Sequence, residues 1–104
     1  MIKNRKVDYD YSNKMIIINK KTIKLTPIEN KIFYEIIGKA KISYAELCEK
    51  VYNKTVYNNK INKHYKSRII NTINKLKAKI KEIGDIHNLY GYGYEFIEKN
   101  KEEK

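Results

Sequence analysis

From Lys50 to Lys81 the chain carries ten basic side chains and no acidic one. From within that stretch to just past its end, Tyr65, Ile69, Ile73, Leu76, Ile80 and Ile83 recur at spacings of three and four, which gathers them on one side of a helix expected over about 62–83. Lys63, Lys66, Arg68, Asn71, Thr72, Asn74, Lys75 and Lys79 fall largely off that stripe. Such a surface suits a polyanion. Ammonium and guanidinium groups bind phosphate, while amide, hydroxyl and methyl groups can read the edges of bases. A second group follows in "LYGYGYEF", where Tyr90, Tyr92 and Tyr94 alternate with Gly91 and Gly93. Closely spaced glycines between β-branched and aromatic runs favour a tight hairpin, expected over 86–97.

Other chemistries find less support. His64, His87 and Cys48 match no compact ligand spacing, so neither a metal site nor a cofactor is expected. Glu29 and Glu46 each complete a helix cap, and no nucleophile or second acid stands beside either at helical spacing. The "GYG" segment lacks both the length and the following helix of a phosphate-binding loop. The chain is therefore not expected to be an enzyme.

The net charge is +11 over 104 residues. Lys, Asn, Ile and Tyr, whose codons can consist of A and T alone, make up 61 of these residues, so genome composition could supply much of the lysine. It does not explain the distribution. Residues 1–24 sum to +5, 25–49 to −1, 50–81 to +10 and 82–104 to −3, which places a functional basic surface in the third quarter. One domain over 1–98 with a charged tail over 99–104 fits this length. The longest apolar run, "MIII", is far too short to cross a bilayer, and the N-terminus lacks the apolar stretch of a secretory signal. A cytoplasmic location without membrane contact is expected, and a single cysteine agrees with a reducing compartment.

The framework around these groups can be read in chain order. "KVDYDY" and "MIIINKKTIKL", broken at Ser12-Asn13 and Asn19-Lys20-Lys21, read as antiparallel hairpins. Thr26, Pro27 and Glu29 open a helix whose apolar face is Ile28, Ile32, Phe33, Ile36, Ile37 and Ala40, with Gly38 as its stop. A tight "KAKI" connection leads to a second capping box, Ser43 to Glu46, and a short helix to about Tyr52. The asparagine-rich "NKTVYNNKIN" reads as a surface loop before the basic helix, which Gly84 is expected to end. Of the tyrosines, Tyr34, Tyr44, Tyr52 and Tyr65 are expected in the core or at its edge, and Tyr9 and Tyr11 on strands.

Sheet, helix, helix, basic helix and hairpin in this order form an α+β pattern. A helix lying in the major groove with a hairpin reaching the neighbouring backbone would use it. "IKLTPIENKIFYEII", "ISYAELCEKVY", "INKLKAKI" and "LYGYGYEF" together resemble, in order and spacing over about residues 8–97, the OmpR/PhoB-type winged-helix DNA-binding domain, the output module of bacterial response regulators. The resemblance implies a winged helix-turn-helix with an N-terminal antiparallel sheet of about four strands, three helices and a C-terminal β-hairpin wing. It implies transcription regulation by sequence-specific binding of double-stranded DNA through the third helix, often by homodimers on direct repeats. Mapped onto this chain, base or backbone contacts fall on Arg68, Asn71, Thr72, Lys75 and Lys77 or Lys79, with Lys66 beside them. Where the family has a wing arginine this chain has Tyr90, so Tyr90 or Tyr92 would hydrogen-bond a phosphate or pack on sugar. Ile70 replaces the usual acidic residue near the helix start, and lysine replaces most arginines. Lysine lacks the guanidinium fork, which points to weaker guanine reading and A·T-rich targets.

Starting at Met1, the chain has no room for the receiver domain that usually precedes this module, so a stand-alone bacterial or phage regulator or an excised domain is expected, without phosphorylation control in cis. Two alternatives remain beside sequence-specific binding. One is an adaptor for a protein such as RNA polymerase, using the loop around Tyr57 and Lys60, which matches by position the polymerase-contacting segment of the family. The other is a nonspecific architectural DNA binder, consistent with the excess of lysine over arginine.

Overall fold

A computed structural model describes residues 2, 6–39, 41–53 and 62–99 of the chain. Asn19 and Lys20 both take positive φ, 49° and 68°. Two such residues make the tight turn whose twist suits antiparallel strands. They join β2 (Met15–Ile18) to β3 (Lys21–Lys24), with Ile18 opposite Lys21, and β1 (Val7–Asp10) pairs along the other edge of β2. Ile16 and Ile18 are buried, so one face of the sheet closes on the core. Among the described residues this sheet has three strands, not about four.

In α1 (Pro27–Lys39) the expected capping box is present. The Glu29 amide donates to Thr26 Oγ1 at 3.2 Å, and the Thr26 amide donates to Glu29 Oε1 at 2.9 Å. Ile32, Phe33, Ile36 and Ile37 are buried. Gly38 does not stop the helix, which continues to Lys39 with Gly38 on its exposed side. The "KAKI" connection is also more than a link. Lys41–Ser43 forms β4, whose Ile42 is buried opposite Tyr94 of a later strand.

The second capping box opens α2 (Tyr44–Tyr52), with the Glu46 amide donating to Ser43 Oγ at 3.0 Å. Asn53, at φ 56°, ends it in the left-handed conformation. The basic helix α3 (Lys63–Lys79) is capped by Asn62, whose Oδ1 accepts from the His64 amide at 2.7 Å. It stops short of the expected Ile83. The amides of Ile83 and Gly84 both donate to the Ile80 carbonyl, turning the chain so that Ile80 and Ile83 stay buried, and Gly84 begins β5 (Gly84–Leu89). β5 and β6 (Gly93–Glu98) form the hairpin, and β4 completes a second sheet in the order β4-β6-β5.

Phe33 lies at the centre, edge-on to Tyr9 at 4.9 Å and to Phe96 at 6.1 Å. Buried Asn30 is partnered: the Tyr9 hydroxyl donates to its Oδ1 at 2.6 Å, and its Nδ2 donates to the Tyr11 carbonyl at 3.1 Å. Tyr11 and Tyr34, expected on a strand and near the core, instead stack on each other at the surface, 4.6 Å between ring centres. No helix among the described residues is long and apolar enough to cross a membrane. The expected tail beyond Lys99 and the loop containing Tyr57 and Lys60 lie outside the described residues.

Candidate nucleic-acid interface

Helix α3 turns Ile69, Ile73 and Leu76 inward. At 3.6 residues per turn the opposite side carries His64, Ser67, Arg68, Asn71, Asn74, Lys75 and Ala78, and all seven are exposed. Asn71 thus lies in the middle of an open stripe, with Arg68 and Lys75 along one edge of it. His64, Ser67, Asn74 and Ala78 share it without having been singled out as contacts. Their signal was the complement of the apolar stripe, which marks small and neutral residues as readily as charged ones.

The flanks are more committed. Thr72 is half-buried and its Oγ1 donates to the Arg68 carbonyl at 2.7 Å, so the hydroxyl is used within the helix. Lys77 is half-buried on the side toward Lys66. Lys66 Nζ lies 4.6 Å from the centre of the Tyr44 ring. Arg68 has its guanidinium carbon 5.7 Å from the Tyr52 ring, which stacks at 4.8 Å on Tyr65.

Lys79, expected among the DNA-facing cations, is turned inward. Its Nζ lies 2.6 Å from Glu29 Oε1 and donates to the Lys24 carbonyl at 3.0 Å. Glu29 is buried, and the same oxygen accepts the Thr26 amide. A carboxylate removed from water needs a cation or several donors. Lys79 supplies the charge and ties the end of α3 to the start of α1.

The hairpin presents a different chemistry. Between Gly84 and Glu98 it has no lysine or arginine but carries Asp85, Glu95 and Glu98. Its two tip glycines answer different demands. Gly91 has φ +76° at the third position of the turn closed by the Tyr92 amide on the Leu89 carbonyl, where a side chain would be strained. Gly93 lies under β4, where an added Cβ would come within 2.0 Å of the Ile42 carbonyl oxygen. Tyr90 is fully exposed at the tip, Tyr92 is half-exposed, and Tyr94 is buried against Tyr44 at 5.3 Å between ring centres. Burial pushes the Tyr94 phenol up from its ordinary value.

Tyr44 joins all three parts. Its amide donates to the Tyr92 carbonyl at 2.9 Å, and its hydroxyl lies 3.3 Å from Asn88 Oδ1. A cleft of about 570 Å³ opens here between the start of α2, Lys66 of α3 and the hairpin residues Asn88 and Tyr90–Tyr92. Beside it, Lys39 pairs with Glu46; that hydrogen bond holds the Glu46 carboxyl below its ordinary range and raises the Lys39 ammonium. Among the described residues no three His, Cys, Asp or Glu side chains gather as metal ligands. Cys48 is buried, and His87 lies 3.8 Å from Asp85.

No protein-family model matches the chain, and no curated protein matches it in sequence. Solved structures do match. The DNA-binding domain of the response regulator AdeR, solved in complex with an intercistronic region, aligns with a TM-score of 0.64 at 19% identity over 92% of this chain and 98% of that one. The C-terminal domain of the nisin resistance regulator NsrR gives 0.67 at 22% identity, covering 92% and 95%. The DNA-binding domain of E. coli CadC gives 0.67 at 15% identity, covering 90% and 88%. The chain shares the winged-helix fold of these domains, an N-terminal antiparallel sheet followed by three helices and the β5–β6 hairpin.

Proposed function

We propose that this chain regulates transcription by binding double-stranded DNA sequence-specifically, with α3 in the major groove and the β5–β6 wing on the adjacent backbone or minor groove. The observation that carries this reading is the exposed stripe of Arg68, Asn71 and Lys75 on a helix with six cations and no acid from Lys63 to Lys79. The stripe has the width and chemistry a major groove admits. Asn71 suits an adenine edge and Lys75 a guanine edge, while Lys66 and Lys77 suit phosphates on the helix flanks. The Thr72 methyl suits thymine, because its hydroxyl is already engaged. Lys79 is assigned a structural role. The wing adds contact without added positive charge, through Tyr90 and Tyr92, and the excess of lysine favours A·T-rich sites.

Selection from a random duplex library, followed by titration of the best site against scrambled DNA at several salt concentrations, tests this. Enrichment of a half-site repeated about one helical turn apart, bound about 10³-fold or more tighter than scrambled duplex, is the expected result. Equal affinity for every duplex with a steep salt dependence would replace it with an architectural binder. No binding at low salt would remove DNA as the ligand.

A further inference from the structure

The two residues that bound α2, Tyr44 and Tyr52, each receive a cation from α3: Lys66 at 4.6 Å and Arg68 at 5.7 Å from the ring centres. Lys66 and Arg68 are two residues apart, which places them about 200° apart around the helix. The short helix therefore lies across the first turns of α3 with one aromatic ring against each flank. Both distances lie within the range in which the negative face of a ring attracts a cation. Both rings are themselves held: Tyr44 by Tyr94 and Asn88, and Tyr52 by Tyr65.

We infer that Tyr44 and Tyr52 are positioning residues for DNA binding, which hold Lys66 and Arg68 before the duplex arrives. A free lysine or arginine loses much rotamer freedom when it is fixed on a phosphate or a base edge. A cation already resting on a ring has given up part of that freedom in the unbound protein, so less is lost on binding. The two cations face different targets. Lys66 lines the cleft under the wing, while Arg68 lies on the open stripe with Asn71 and Lys75. One short helix thus aims one charge toward the wing side of the groove and another along its floor.

The inference rests on the DNA-binding reading, and its test separates the two. Affinity for the selected duplex is measured in a double-mutant cycle of Tyr44→Leu with Lys66→Ala and a second of Tyr52→Leu with Arg68→Ala. Each leucine change is expected to weaken binding about three- to fivefold, with phenylalanine at the same position restoring it, because the ring face is what the cation uses. The salt slope should stay unchanged, because no charge is lost. Once the cation has been removed, the leucine change should cost nothing further; an equal loss in both backgrounds would overturn the inference and leave the rings as supports of the fold. A second measurement needs neither substitution nor DNA. In the unaltered protein, NMR should show upfield ring-current shifts of the Lys66 ε-methylene and Arg68 δ-methylene protons, and ordinary shifts there would overturn the inference. Failure of the unaltered protein to bind any duplex would overturn the DNA-binding reading itself.

Discussion

Lys75 and Lys79 are four residues apart on one helix, and their surroundings give them opposite work. Lys75 is exposed on the open stripe. Replacing it with alanine should weaken binding to the best site by about 1–3 kcal/mol and relax sequence preference, as a lost base contact does. An equal loss on scrambled duplex would reassign Lys75 to the backbone. Lys79 has a side chain 34% exposed, against a buried Glu29. Lys79→Met should therefore lower unfolding free energy by about 2 kcal/mol, because Glu29 keeps its cap hydrogen bond but loses its counter-charge. Urea unfolding measures this. The salt slope of DNA binding by the folded variant should remain that of the unaltered protein, and a slope reduced by about one would mean that Lys79 does meet phosphate. Sequence spacing could not separate these two lysines. Both lie off the apolar stripe, and only the approach of α1 and β3 to the end of α3 makes one of them internal.

At the level of elements, the helix starts were legible and several boundaries were not. Thr26 with Glu29 and Ser43 with Glu46 mark helix starts because the reciprocal hydrogen bonds are local and need no tertiary partner. Gly38 and Gly84 misled for the same reason in reverse. Glycine can end a helix, but whether it does depends on the neighbouring structure, β4 for one and the turn at Ile80 for the other. Three residues are too few for a periodic signal, so β4 was hidden until β6 came alongside. The second wing glycine is explained only by that pairing. The β2–β3 turn carries a separate consequence. Lys20 holds φ 68° with a side chain, which the left-handed region disfavours, while Asn19 before it tolerates the same region. Lys20→Gly would make the Asn-Gly pair that this turn prefers and should stabilise the protein by about 0.5–1 kcal/mol, raising Tm by several degrees. A lower Tm would show that the lost backbone restraint in the unfolded chain outweighs the relieved strain.

Over the whole molecule, charge and aromatic burial are segregated. The charged residues of helix α3 are all basic and the β5–β6 hairpin is net acidic, so the positive field is centred on the helix. That segregation was visible from the sequence, whereas the faces that carry it needed the fold. Burial raises the phenols of Tyr9 and Tyr94 above their ordinary value. In the unfolded chain they would ionise near pH 10, so the stability tied to their neutrality is complete below that pH and declines as pH rises toward the folded-state values. Urea midpoints measured from pH 8 to pH 12 should be flat at first and then fall. Tyr94→Phe should make the fall shallower, and an unchanged profile would show that other groups govern it.

The inward turn of Lys79 also grades the access of reagents to the surface amines. An ammonium held between a buried carboxylate and a carbonyl leaves little room for an acyl reagent. With limiting acetic anhydride, Lys75 should be acetylated well before Lys79. Modification at Lys79, whose side chain is 34% exposed, should lag behind that at Lys75 and quicken when its contact with Glu29 opens, while acetylation of Lys75 reports access to the open stripe. Bound duplex should shield Lys75 directly, and Lys79 only to the extent that it stabilises the folded chain.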